Sequence, residues 1–207
     1  MSSRMLMQLF LFGNQARQSI ILRISDHHFS HLLTMVAQTP IAIIGAGPSG
    51  LALARLLQVA GTPYMVYERE QEDQVKHTNI SASSGTLDIH EASGQLLLKA
   101  AGLLSRFYEV ARYNVPVRIV DAQGTVFADI PGEDNNDKPE IDRTALRDLL
   151  LQSVPANRIR WGCMIERFER HDDQTTSIYD RTGMVAARVP LVVGADGAFS
   201  KVRAFVN

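Results

Sequence analysis

Gly45, Gly47 and Gly50 fall at the spacing G-x-G-x-x-G, and an acid, Glu68, follows 68 − 50 = 18 residues after the last of them. Glycines so placed let a backbone turn tightly and approach a pyrophosphate. A carboxylate about 20 residues further on can accept hydrogen bonds from ribose hydroxyls. The spacing alone also serves an ordinary glycine turn, so its meaning rests on what surrounds it. The apolar run Ile41-Ala42-Ile43-Ile44 before it suits a parallel strand covered on both faces. Pro48 to Leu57 suits a helix whose N-terminal N–H groups and dipole favour an anion. Tyr64-Met65-Val66-Tyr67 suits the second strand of the unit and ends at Glu68. In that frame Gly45 permits the turn, Gly47 the approach of the phosphates, and Gly50 the close packing of helix on strand. Together these residues predict a dinucleotide site.

The chain that must position them has 207 residues, 45% of them hydrophobic, enough for one sizeable core and a second small lobe. Net charge is −1, from 21 basic and 22 acidic residues, so nothing draws the chain to nucleic acid or an anionic membrane surface. No run of 18 apolar residues predicts a membrane span. Cys163 is the one cysteine, which excludes an intrachain disulfide and fits a reducing compartment such as the cytoplasm. Its apolar setting reads as core rather than catalysis. Residues 1–38 read as an extension foreign to the fold that follows, with Met35 the favoured natural start. An Arg-containing, acid-poor organelle leader with a mitochondrial address is the alternative. His27 and His31, at i and i+4, have the spacing of a metal clip, but no further ligands accompany them and the segment reads as solvated.

Further along, residues 71–84 are polar and read as a loop. A helix is expected from Ser93 to Ala101, with Leu96, Leu97 and Ala100 on one face and Gly102 as its stop. Val115–Asp121 and Thr125–Asp129 predict a β-hairpin. Asp142 reads as the N-cap of a helix carrying Leu146, Leu149 and Leu150. Arg158–Glu169 and Thr176–Asp180 read as strands, Arg181-Thr182-Gly183 as a turn, and Met184–Arg188 as the returning strand. Val189 to Gly197 reads as a last buried strand ending in a glycine turn. The alternation predicts an α/β fold. A Rossmann-like layer over 39–207 is interrupted by β-rich segments of a second lobe around 110–130 and 158–188.

Four segments carry a resemblance to a known family: Gly45–Gly50 with Glu68-Arg69; Gly85-Thr86-Leu87-Asp88-Ile89-His90 with Ser93-Gly94-Gln95; Glu140 to Arg147; and Gly194 to Arg203. The chain resembles the first part of the group A flavin monooxygenases, typified by p-hydroxybenzoate hydroxylase. Within them it is similar to the subgroup of tetracycline-inactivating monooxygenases. The resemblance implies a glutathione-reductase-type FAD-binding layer and FAD as cofactor. It implies NADPH as a reductant that docks transiently, in keeping with a single G-x-G-x-x-G. O2 and an aromatic or polyketide-like small molecule would be the substrates, with oxygen transferred from a flavin C4a-hydroperoxide. It further implies that Gly45, Gly47 and Gly50 cradle the FAD pyrophosphate and that Glu68 holds the adenosine ribose. Arg69 would lie near the adenine or the incoming NADPH, Asp88 and Arg143 would contact FAD, and Asp196 would lie near the pyrophosphate and the nicotinamide route. It assigns no metal and no catalytic acid or base; His90, at a helix entry, reads as structural. Read without the family, Arg143 is an N1 residue after an Asp cap and Asp88 a loop cap.

Two departures qualify the resemblance. Ser81 and Ser84 stand where the subgroup has an arginine and a glycine, before Gly85-Thr86-Leu87-Asp88. The family also continues past the position of Asn207, through the rest of a substrate lobe and a later Gly-Asp motif. The expectation is therefore a fragment, or a chain completed by a partner. The readings that remain beside an NADPH-dependent monooxygenase are a catalytically incompetent FAD-binding fragment and another FAD- or NAD-dependent oxidoreductase. The Asp88 and Asp196 segments argue against the last.

Overall fold

A computed structural model of the chain describes residues 7–11, 18–22, 40–76, 85–132 and 137–206. In chain order come strands β1 (Met7–Leu11), β2 (Gln18–Leu22) and β3 (Ile41–Ile44), helix α1 (Pro48–Val59), strand β4 (Tyr64–Tyr67) and helix α2 (Glu72–Lys76). Strand β5 (Thr86–Asp88), a π-helical turn (Glu91–Gln95), and helices α3 (Leu96–Ala100) and α4 (Leu104–Val110) follow. Next are strands β6 (Val117–Val120), β7 (Val126–Ile130) and β8 (Glu140–Asp142), helix α5 (Arg143–Leu151) and a 3-10 turn (Ala156–Arg158). Strands β9 (Ile159–Arg160), β10 (Ile165–Arg170), β11 (Thr176–Asp180), β12 (Val185–Val189) and β13 (Val192–Gly194) lead to helix α6 (Lys201–Val206). Two compact units result: the described residues up to Glu72 with those from Ala156 onward, and Asp73–Pro155.

The first unit is built on a four-stranded sheet in the order β13-β3-β4-β9. Strand β3 is paired in parallel on both sides, Ala42 opposite Val192 and Met65. A strand so enclosed has no face left for water, which is why Ile41–Ile44 is apolar and buried at every position. On one side of the sheet Ala42 and Ile44, with Tyr67 of β4, join a core with Ile165, Ile178 and Val189 of the antiparallel sheet β10-β11-β12. Helix α1 packs on β3 and β4 through Gly50, Leu51, Ala52 and Ala54, none of which belongs to that core. The unit is thus layered as helix, parallel sheet and antiparallel sheet. Ile178 has no exposed surface; burial of such a side chain is worth roughly 1.5–3 kcal/mol. That outweighs the exposed Arg167–Glu169 ion pair at 3.1 Å on the outer sheet, a kind of pair worth about 0–1 kcal/mol. Strands β1 and β2 pair antiparallel, Met7 opposite Leu22.

The second unit holds the antiparallel pairs β5–β8 and β6–β7. Helices α4 and α5 pack together, with Phe107 on one and Leu146, Leu149 and Leu150 on the other buried. Gln95 is buried in the π-helical turn. Its Nε2 donates to the Ile89 carbonyl at 2.9 Å, and its Oε1 accepts from the Tyr108 hydroxyl at 2.8 Å. Among the described residues no helix is long and apolar enough to cross a membrane.

The βαβ start, the hairpin, the α5 apolar face and strand Thr176–Asp180 stand where the sequence places them. Five points differ. Residues 71–76 are not all loop, since α2 turns there and buries Val75. On α3 the buried side chain is Leu98, and Leu96 is exposed. The preceding turn bonds Gln95 N to His90 O at 3.1 Å, an i→i+5 closure that rotates the apolar face away from a 3.6-residue pattern. Gly102 does stop the helix: its N–H bonds to Lys99 O and that of Leu103 to Leu98 O. Helices α4 and α6 were not legible, being too short for a periodic pattern. The single strand expected over Arg158–Glu169 is two strands in different sheets, broken at Trp161-Gly162, so Cys163 lies buried between them rather than in a strand. Asp142 does hold the N-cap position, but its carboxylate makes no cap bond. The readings on Asp26 to His31, Met35, Ser81 and Ser84 fall outside the described residues.

Candidate functional site

The carboxyl ends of β3, β4 and β13 bring Gly45, Glu68 and Ala195-Asp196 to one edge of the parallel sheet. Gly45 N donates to Tyr67 O and Ala195 N to Ile44 O, each at 2.8 Å, so the turn is stitched to both neighbouring strands. Gly45 has φ +105°, and a Cβ there would lie 2.5 Å from Ala195 O and 3.2 Å from Asp196 Cα. At Gly50 a Cβ would lie 2.0 Å from Gly45 O. Both glycines are therefore demanded by the chain itself: one by its backbone conformation, both by close approach.

Gly47 is different. It is the N-cap of α1, in an extended conformation at φ −74° and ψ 175°, followed by Pro48. Among the described residues a Cβ there would meet nothing within 4 Å. Neither conformation nor packing in the chain requires a glycine at this position. What the missing side chain leaves is open space at the N-terminus of a 12-residue helix, where N–H groups and the macrodipole attract an anion.

Glu68 borders the same turn and is 6% exposed. Its Oε2 accepts from Ala46 N–H at 2.5 Å and its Oε1 from Glu70 N–H at 3.0 Å. The carboxylate so braces the glycine turn against the end of β4. Ala46 is the partner that sequence reasoning missed, because a backbone donor leaves no mark in residue type. Arg69, next in the chain, is exposed. Asp196 is half-buried; its Oδ1 accepts from the Ser200 hydroxyl at 2.6 Å and its Oδ2 from Lys201 N–H at 2.7 Å. These bonds fix the loop after β13, which in turn backs Gly45. The first unit therefore gathers Gly45, Gly47, Gly50, Glu68 and Asp196 around one turn.

Asp88 and Arg143 belong to the second unit. Asp88 ends β5 opposite Glu140, and Arg143 follows β8, its N–H donating to Gly85 O at 3.1 Å. One two-stranded ladder thus carries both, at opposite ends, with both side chains exposed. His90 sits at the N-cap of the π-helical turn and makes no side-chain cap bond. Arg112 was not singled out from the sequence. Its guanidinium grips Asp142 through bonds of 2.8 and 3.1 Å, and its backbone pairs with Glu140 in both directions at 2.7 and 2.9 Å. The Arg112 hydrogen bond holds the Asp142 carboxyl below its ordinary range. Thirty residues separate the pair, too far for any local pattern to show it.

The donor set fits FAD: an open glycine at a helix N-terminus for the pyrophosphate, and a buried acid beside it for a ribose. The family described as FAD binding domain matches residues 38–207. The chain is 36% identical over 183 residues to monooxygenase penA of Penicillium thymicola, covering 84% of this chain and 41% of that protein. It is 34% identical over 177 residues to monooxygenase asqM of Emericella nidulans, covering 80% and 40%. The chain spans about two fifths of the length of these curated relatives. Among solved structures, tetracycline destructase Tet(51) shares the fold, with a TM-score of 0.63 and 24% identity over 81% of this chain and 41% of that one. With the family match taking in every element from β3 onward, the chain belongs to the FAD binding domain family, as a relative of two proteins named monooxygenases.

Proposed function

We propose that this chain forms the FAD-binding part of an NADPH-dependent flavoprotein monooxygenase that hydroxylates an aromatic or polyketide-like small molecule with O2. The observation that carries the proposal is Gly47, where neither backbone conformation nor packing among the described residues calls for a glycine. The α1 N-terminus holds the pyrophosphate there, with Gly45 and Gly50 shaping the turn around it. Glu68 accepts hydrogen bonds from the adenosine ribose, trading some of its bonds to the turn. Arg69 meets the adenine or the incoming nucleotide. Asp196 orients the loop that backs the turn, near the pyrophosphate and the nicotinamide route. Asp88 and Arg143 supply a carboxylate and a guanidinium fork to polar edges of the same cofactor. FAD, when bound and reduced, supplies the oxygen-activating chemistry, while the protein orients the reactants and excludes water. We place the protein in the cytoplasm, with a mitochondrial address as the alternative.

The test is Gly47→Val. The substituted protein should lose no more than about 1 kcal/mol, the usual cost of replacing a favourable N-cap residue by an aliphatic one. FAD affinity, read by flavin fluorescence quenching, should fall at least a hundredfold. Retained FAD affinity would show that the cofactor does not lie on this turn. FAD binding without turnover is the second reading. NADPH oxidation accelerated by an aromatic substrate, with a hydroxylated product found by mass, would exclude it.

A further inference from the structure

Strand β9 leaves the parallel sheet beside Glu68, and it leaves irregularly. Tyr67 stands opposite Arg160 in the ladder. One position on, Glu68 N donates to Arg160 O at 3.0 Å, as a parallel ladder requires. Glu68 O, however, accepts from Cys163 N at 2.8 Å and not from residue 162. Trp161 and Gly162 therefore stand together opposite Glu68, where a regular ladder has one residue. An extra residue of this kind bends its strand and re-aims a side chain, and such bulges gather beside functional sites.

The bulge is held firmly. Gly162 N donates to Glu70 O at 2.9 Å. Gly162 has φ +64°, and a Cβ there would lie 2.6 Å from the side-chain amide of Gln71. Backbone conformation and close approach both demand a glycine at that position. Nothing comparable accounts for its neighbour. Trp161 is half-buried and is the only tryptophan of the chain. Among the described residues its ring stacks on no aromatic ring or cation, and its N–H has no acceptor. An indole is a large apolar face with a polar handle, and inside a protein both are ordinarily used. Arg69, next to Glu68 in the chain, is exposed and has no ion-pair or hydrogen-bond partner among the described residues. All these residues belong to the first unit. The buried acid is thus flanked by an aromatic face and a guanidinium that the chain itself does not engage. A ribose held by Glu68 carries its base one glycosidic bond away, within reach of the acid's neighbours. An aromatic face stacks a base at a gain of about tenfold in affinity, and a guanidinium donates to the base's ring nitrogens.

We propose that Trp161 is a stacking platform for the base of the nucleotide whose ribose Glu68 holds, with Arg69 donating to that base. Under the FAD reading, on which this assignment rests, the base is adenine. Trp161 then makes the chain select the adenine dinucleotide over a flavin mononucleotide with the same reactive ring.

The test uses the full chain and two probes that carry no flavin, ADP and inorganic pyrophosphate. Because Trp161 is the only tryptophan, its emission reports the platform directly. ADP should quench it, and pyrophosphate should leave it unchanged. By calorimetry, Trp161→Leu should weaken ADP about tenfold and leave pyrophosphate affinity at the wild-type value, which shows that the turn and the fold are kept. Trp161→Phe retains an aromatic face and should restore most of the ADP affinity. ADP bound without quenching, ADP affinity unchanged in Trp161→Leu, or ADP and pyrophosphate weakened together in both variants would overturn the proposal. FAD titrated into the same samples separates the platform from the reading beneath it. FAD uptake indifferent to Trp161→Leu keeps the cofactor site and removes the platform, whereas wild type that takes up neither FAD nor ADP removes both.

Discussion

At the residue scale the three motif glycines are not equivalent, and the difference is a prediction. Gly45 and Gly50 are needed by the chain because a Cβ would strike Ala195 O or Gly45 O. Gly47 is needed only if something else arrives. Gly50→Ala should therefore destabilise the protein by about 1–3 kcal/mol, the usual cost of overpacking, read as a lower urea midpoint without any ligand present. Gly47→Val should lower that midpoint less, through the weaker N-cap alone. If the two variants unfolded alike, the distinction drawn between a packing glycine and a ligand glycine would fail. The sequence shows all three glycines identically, since spacing records position and not what lies opposite. The same holds for Glu68. Its acid type and its distance from the turn were legible, but its bond to Ala46 N–H was not.

At the element scale the turn between β10 and β11 offers a test of pH dependence. Asp173 Oδ1 accepts from the Thr175 hydroxyl and N–H at 2.5 and 3.1 Å, while its Oδ2 meets Arg188 of β12 at 2.8 Å. The Thr175 bonds first, and Arg188 after them, lower the Asp173 carboxyl to about 2 from 3.8. A carboxylate depressed in the folded state stabilises it above the unfolded value, and that contribution is lost as pH falls through the folded one. The melting-temperature gap between wild type and Asp173→Asn should be full at pH 5, shrink below pH 4 and close near pH 2. A gap that did not vary with pH would mean the turn is held by geometry and not by charge. Among the elements themselves, those with strong local pattern were legible: β3, α1, β4 and the Leu146, Leu149, Leu150 face of α5. The α3 face was not, because an i→i+5 turn ahead of it changes its phase, and neither was the break at Trp161-Gly162. That break exists because β9 pairs with β4, more than ninety residues earlier, while β10 pairs with the β11 that follows it.

At the scale of the whole molecule a ligand that binds only the folded chain stabilises it by mass action. FAD at a hundredfold excess over its dissociation constant should add about 2.7 kcal/mol, seen as a rise in melting temperature for wild type and none for Gly47→Val. A rise of equal size in both would place FAD elsewhere on the protein. By itself the sequence determined the class of fold and a dinucleotide-binding layer, and FAD entered through the resemblance of further segments to a family. The first two follow from local facts: an apolar run of strand length, glycines at a fixed spacing, an acid at the end of the next strand. Each is a constraint between near neighbours, which residue order expresses directly. Only the tertiary structure decided that β13 returns to lie beside β3, that Asp196 backs Gly45, and that Arg112 holds Asp142. It alone also decided that Trp161 and Gly162 stand opposite Glu68. Those pairings join residues dozens to more than a hundred positions apart. They arise from the packing of sheets and turns, where distance along the chain carries no information about distance in space.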